Sequence, residues 1–164
     1  MKENKYNSMA KFLIIVLNVL IAFGVLTFIS LIISTLTLGD IGAANRKYIV
    51  NCILFFIGTS SLVFILYCLR KILKSVINAG PFNMSIVKNL KDIALSCFII
   101  TICYLINFFY NNQFKSFKLI EIDPRGIHTD TEFLIFFFAG CFVLILAQIY
   151  KQAVEVKEEN DFTV

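Results

Sequence analysis

Four stretches of this chain contain no Asp, Glu, Lys or Arg: residues 12–39, 48–69, 93–114 and 133–150. A helix rising 1.5 Å per residue needs about 17 to 25 predominantly apolar residues to cross the roughly 30 Å hydrocarbon core of a bilayer, and each stretch is long enough. In residues 12–33, 17 of 22 are Leu, Ile, Val or Phe, which favours insertion in spite of Asn18. The expected architecture is an all-α integral membrane protein with four transmembrane helices at about 12–38, 48–69, 93–111 and 132–150. The whole chain of 164 residues forms one membrane domain. Its composition agrees, since 59% hydrophobic residues and a mean hydropathy of +0.82 do not suit a soluble domain. The basic start "MKENKYNSMAK" resembles the head of a signal peptide, but the apolar run is longer than the about 7 to 15 residues of a signal core and lacks a small-residue cleavage site.

Orientation follows from the cations, which are retained on the cytosolic side. With both termini inside, Lys2, Lys5, Lys11, Arg70, Lys71, Lys74, Lys88, Lys91, Lys151 and Lys157 are cytosolic, against Arg46, Lys47, Lys115, Lys118 and Arg125 outside. A basic cytosolic face suits an anionic leaflet.

Outside the spans, local chemistry marks the boundaries. Gly80 and Pro81 stop the second helix, and Asn83 or Ser85 caps the third, whose apolar residues Ile86, Leu90, Ile93 and Cys97 recur at helical spacing. Helices two, three and four are thus expected to extend into the cytosol, the first two as a hairpin over 70–92. In the external loop, "LIEID" is strand-prone and Asp-Pro-Arg-Gly is a turn sequence. Thr129 and Glu132 have the spacing of a capping box, which predicts a fourth helix starting near Asp130. Beyond Tyr150 the fourth helix continues over 151–164 with Ile149, Ala153 and Val156 as an apolar stripe and Asn160 as its cap.

Chemistry inside a bilayer depends on ionisable groups, and the four stretches hold no charged residue. No nucleophile, base and orienting group can be assembled, so no catalytic residue, cofactor site or metal site is assigned. His128 is the one histidine and lies in the external loop, where a solvated side chain is expected. Cys52, Cys68, Cys97, Cys103 and Cys141 form no C-x-x-C pair and read as small packers between helices. Asn18, Asn51, Asn107 and Gln148 are uncharged polar residues at depth, suited to bonds between helices or to lining a path. Gly58 and Gly140 mark positions where helices could approach closely.

The distinctive polar residues gather on the cytosolic side. Pro81 and Phe82 sit at the hairpin tip, Lys88 and Lys91 flank them, and Glu155, Glu159, Asn160, Asp161 and Thr163 follow on the tail. These nine are the candidate partner-binding residues; the acidic tail and basic hairpin either pack together as a latch or, since exposed ion pairs contribute only about 0 to 1 kcal/mol, remain two solvated faces, the reading that weighs more.

Two of these segments carry a resemblance. "GPFNMSIVKNLKDI", residues 80–93, and "LILAQIYKQAVEVKEENDFTV", residues 144–164, resemble the loop and the ending of the bacterial membrane proteins called domain of unknown function 2975. The chain departs from that pattern at Phe162 for Leu, Tyr150 for Phe, Gln148 for an acid and Ala153 for Gly. The resemblance implies a multi-pass protein of the bacterial cell membrane, without established enzymatic activity, whose gene neighbours include small helix-turn-helix regulators.

The resulting expectation is a non-enzymatic regulatory or interaction protein that tethers or antagonises such a regulator at the cytosolic face, without binding nucleic acid itself. Its constant partner is the lipid bilayer, and self-association into a homo-oligomer is open to it. The alternative is a small transporter, channel or membrane-protective protein with Asn18, Asn51 and Asn107 along a polar path.

Overall fold

The computed structural model describes residues 2–37, 46–111, 121–123, 126–128 and 131–161. Four helices account for nearly all of them: α1 Lys2–Thr37, α2 Arg46–Ala79, α3 Met84–Tyr110 and α4 Glu132–Asp161. All four are long and apolar enough to cross a membrane. Their surfaces are apolar around most of the circumference, as expected where lipid rather than water covers the outer faces. At 36, 34 and 30 residues, α1, α2 and α4 reach about 54, 51 and 45 Å at 1.5 Å per residue, well beyond a 30 Å hydrocarbon core.

The helices bundle in chain order. α1 packs on α2, α2 on α3 and α3 on α4, and no other helix pair makes close backbone contact among the described residues. Each adjacent pair is antiparallel. Gly24 lies against Val63 and Phe28 against Phe56 across the first pair, Asn111 meets Asn51 across the second, and Thr101 reaches Phe133 across the third. The outcome is a row rather than a closed ring. Within it α3 has the largest buried share of the four apolar helices, with Cys68 of α2, Ile93 and Cys97 forming a core to which Ile65, Ile72 and Val143 are added.

Small residues set the close approaches, though not all where the sequence suggested. A Cβ on Gly140 would lie 3.0 Å from Cε1 of Phe98 and 3.2 Å from Cβ of Cys97, so α3 and α4 meet there as expected. A Cβ on Gly58 would meet nothing within 4 Å, because that glycine faces open space rather than a neighbouring helix. Gly24, which no sequence pattern singled out, is the tight point of the first pair, 2.9 Å from Cγ2 of Val63 for an added Cβ. All five cysteines are free thiols; Cys68, Cys97 and Cys103 are buried and Cys52 and Cys141 half-buried, as packers should be.

Hydroxyl groups at depth bond back to their own helices, which satisfies them without a partner chain. Thr59 donates to the Phe55 carbonyl at 2.8 Å, Ser61 to Ile57 at 2.9 Å, Ser96 to Asp92 at 2.8 Å and Thr101 to Cys97 at 3.0 Å.

The helix ends follow local chemistry. Gly80 takes φ of +81°, the left-handed conformation that a residue with a Cβ adopts only at a cost, and this ends α2. Asn83 is the N-cap of α3, extended at φ −150° and ψ 133°, with its side chain accepting from the Ser85 amide at 2.8 Å. α4 begins at Glu132, and it continues to Asp161, so Asn160 is the penultimate helical residue rather than a cap. Before α4, strands β1 Glu121–Asp123 and β2 Gly126–His128 pair antiparallel with Asp123 opposite Gly126, in accord with the strand-prone segment and the turn sequence between them. The proposed capping role of Thr129, the turn centre at Pro124 and Arg125, and the terminal residues Phe162 to Val164 lie outside the described residues.

Candidate functional site

Two places gather polar groups from separate helices. The first is the α2–α3 turn. Gly80 swings the chain so that Pro81 and Phe82 project from the end of the bundle, and α4 passes beside them. The Tyr150 hydroxyl donates to the Pro81 carbonyl, and the Tyr150 and Phe82 rings stack with centroids 6.1 Å apart and planes 21° from parallel. About two helical turns further on, the Lys157 ammonium lies over the Phe82 ring, 5.8 Å from its centroid. Beneath this contact Ala147 and Val154 of α4 are fully buried, as are Ile86 and Val87 at the start of α3.

The buried face of α4 therefore runs through Ala147, Tyr150 and Val154, not through the expected stripe of Ile149, Ala153 and Val156. Ile149 and Val156 are 57% and 65% exposed. A small residue at 147 lets the backbones approach, and the Tyr150 hydroxyl finds a carbonyl. Within a bilayer, leaving Ile149 against lipid costs little, because acyl chains are as apolar as its protein neighbours.

The nine candidate residues divide accordingly. Pro81 and Phe82 are at the contact itself. Phe82, Glu159 and Asn160 line a shallow open depression with Ala153, Val156 and Lys157. Glu155 pairs within its own helix, its Oε1 3.2 Å from the Lys151 ammonium. Lys88 and Lys91 are exposed on α3, and neither forms an ion pair with a described residue. Asp161 ends α4, and Thr163 is beyond the described residues. α4 thus meets the turn through aromatic rings, a hydroxyl and a cation over a ring. Sequence reasoning missed Tyr150 and Lys157; the signal available was a phenol at the end of an apolar stretch, where amphipathic rings find both lipid and a polar partner.

The second place is at the opposite end of the bundle. Asn111, just past α3, donates through Nδ2 to Oδ1 of Asn51 on α2 at 3.1 Å and to Oδ1 of Asn107 at 2.7 Å. From this cluster a groove of about 330 Å³ runs along α2 and α3. α2 contributes Leu54, Phe55, Gly58, Thr59 and Leu62, spaced as one helical face. Ile100, Cys103 and Tyr104 of α3 form the floor, and Phe136 of α4 closes a side, stacked on Tyr104 at 5.9 Å. Asn18, the third asparagine expected along a path, is exposed on α1 and takes no part. Asn111, which holds the cluster together, went unnoticed in the sequence. Among the described residues no group of His, Cys, Asp or Glu could hold a metal ion.

Four antiparallel helices, each long and apolar enough to cross a bilayer, fit a multi-pass membrane protein. Over residues 2–164 the chain matches the family described as "Protein of unknown function (DUF2975)", and it belongs to that family. No curated protein and no solved structure matches it.

Proposed function

We propose that this chain is a non-enzymatic regulatory and interaction protein of the bacterial cell membrane, which presents the α2–α3 turn and the end of α4 as a cytosolic docking surface. The observation that carries the reading is the grip of Tyr150 and Lys157 on Pro81 and Phe82. It holds a phenylalanine in fixed position at the end of the bundle while 45% of that residue stays exposed beside the depression. A rigid, half-exposed aromatic with a polar rim is the usual anatomy of an interaction hot spot. The excess length of α2 and α4 over a bilayer core supports placing this end in water, and the cations at Arg70, Lys71, Lys74, Lys88 and Lys91 favour the cytosol.

The partner proposed from the family resemblance is a small helix-turn-helix regulator, bound at this surface and so held from its DNA. Co-purification of the DNA-binding protein encoded beside this gene tests it. Retention by the full chain, with loss on Phe82→Ala and on truncation after Tyr150, is the expected result; equal retention by all three removes the proposal. A transporter draws on the asparagines, but Asn111 ties Asn51 to Asn107 at one end of a groove and Asn18 faces outward, an arrangement that favours a bound molecule over a path.

A further inference from the structure

The groove between α2 and α3 has one polar end and mostly apolar walls, and what fills it follows from that contrast. Apolar cavities do not hold water, since a buried water needs two to four polar partners. Along Leu54, Phe55, Leu62, Ile100 and Phe136 no such partners are on offer, and the Thr59 hydroxyl is committed to its own helix. The groove is not sealed from its surroundings, so in a bilayer its occupant is drawn from the lipid phase.

The polar end sets the head group. Asn111 Nδ2 spends both hydrogens on the Oδ1 atoms of Asn51 and Asn107, which orients those two amides. Their own Nδ2 groups are left as donors, with no acceptor among the described residues. A head group placed there must accept hydrogen bonds. An uncharged head group suits it best, because among the described residues no Lys or Arg lines the groove and an unpaired anion there carries a desolvation cost. A volume of about 330 Å³ lies at the lower end of the roughly 300 to 1,000 Å³ of small-molecule sites, which suits one hydrocarbon chain rather than two.

We infer that this groove is a binding site for a neutral, single-chain amphipath of the membrane, with an ester or ketone oxygen at Asn51 and Asn107 and its chain along Gly58 and Leu62. Gly58 is what keeps the channel open: a Cβ there would meet nothing within 4 Å, so the missing side chain is space for a ligand and not for a helix. The site stands apart from the α2–α3 turn and does not depend on the docking surface proposed there.

The test uses the full chain in nanodiscs and three photoreactive probes with the same diazirine-bearing chain: a monoacylglycerol, an alkyl sulfonate and a plain hydrocarbon. The monoacylglycerol is expected to label residues 51–62 and 100–107 saturably, with unlabelled monoacylglycerol competing, and the other two probes to label without saturation. Gly58→Leu occupies the open space and lowers saturable labelling by about tenfold or more. Leu62→Trp, at a 47% exposed position on the far rim, is read beside it so that a folding defect in one variant leaves the other decisive. Asn107→Leu lowers the preference for the ester over the hydrocarbon by roughly fivefold, the loss of about one hydrogen bond. Uniform, unsaturable labelling of all helices, or labelling indifferent to both plugging variants, overturns the site. Equal saturable labelling by the sulfonate overturns its neutrality.

Discussion

The ring of Phe82 lies nearly parallel to that of Tyr150, 6.1 Å away, although 68 positions of sequence and a full helix separate them. Their contact locks the turn between α2 and α3 to α4, and a double-mutant cycle measures it. Phe82→Ala and Tyr150→Ala should couple by about 0.5 to 1.5 kcal/mol beyond additivity in detergent unfolding, the range of an aromatic pair. Additive losses show two rings that are adjacent and energetically independent.

Tyr150→Phe separates the stack from the hydroxyl. It keeps the ring and leaves the Pro81 carbonyl without its donor, which should cost about 0.5 to 1.5 kcal/mol. Unchanged unfolding would mean that water replaces the hydroxyl at no loss. The family pattern this chain resembles has Phe here, so this hydrogen bond is expected to be an addition on top of a shared aromatic contact.

Charge contributes to the same contact through Lys157. Lys157→Gln removes the cation over Phe82 and should cost about 0.5 to 1 kcal/mol, with little dependence on salt for the remainder of the fold. Lys91→Glu, exposed on α3, should stay within about 0.5 kcal/mol of the parent, and Glu159→Lys should not rescue it. A large Lys91 effect restored by the second change would restore an ion-pair latch instead.

The two span glycines should behave oppositely. Gly140→Ala brings a methyl group to 3.0 Å from Phe98 and should destabilise the α3–α4 pair by about 1 to 3 kcal/mol. Gly58→Ala enters open space and should be neutral or stabilising by up to about 1 kcal/mol through helix propensity. Thermal unfolding of both in one detergent compares them directly.

Topology is tested by single cysteines in intact cells. Lys157→Cys should react with an impermeant maleimide only after permeabilisation, and His128→Cys should react without it. The reverse pattern would move the α2–α3 turn to the outside and with it the proposed docking surface.

The helices were legible because spanning a bilayer demands long uncharged runs, a one-dimensional requirement that sequence displays directly. The caps of the α2–α3 turn read well for the same local reason, since Gly80 and Asn83 act on their own backbone, whereas Asn160 did not end α4. Which face of α4 turns inward was not legible. Ile149 and Val156 look like a packed stripe by the rules for water, but lipid removes the penalty for leaving them outside, and Ala147 and Tyr150 decide the rotation through contacts with α3 and Pro81. Gly58 failed for a related reason. A missing side chain signals either a close helix or an open groove, and only the position of α3 tells them apart. The asparagine cluster needed three residues from two chain segments 60 positions apart, and Asn111 stands just past the helix where pattern reading stops.

Because each helix packs only on its neighbour in sequence, every interface can form as soon as its second member leaves the ribosome. α1 meets α2, then α3 docks, and no early helix waits for a distant one, an assembly of low contact order despite its span. The grip of Tyr150 on Pro81 forms after these, so its presence reports that the chain has been inserted as far as α4.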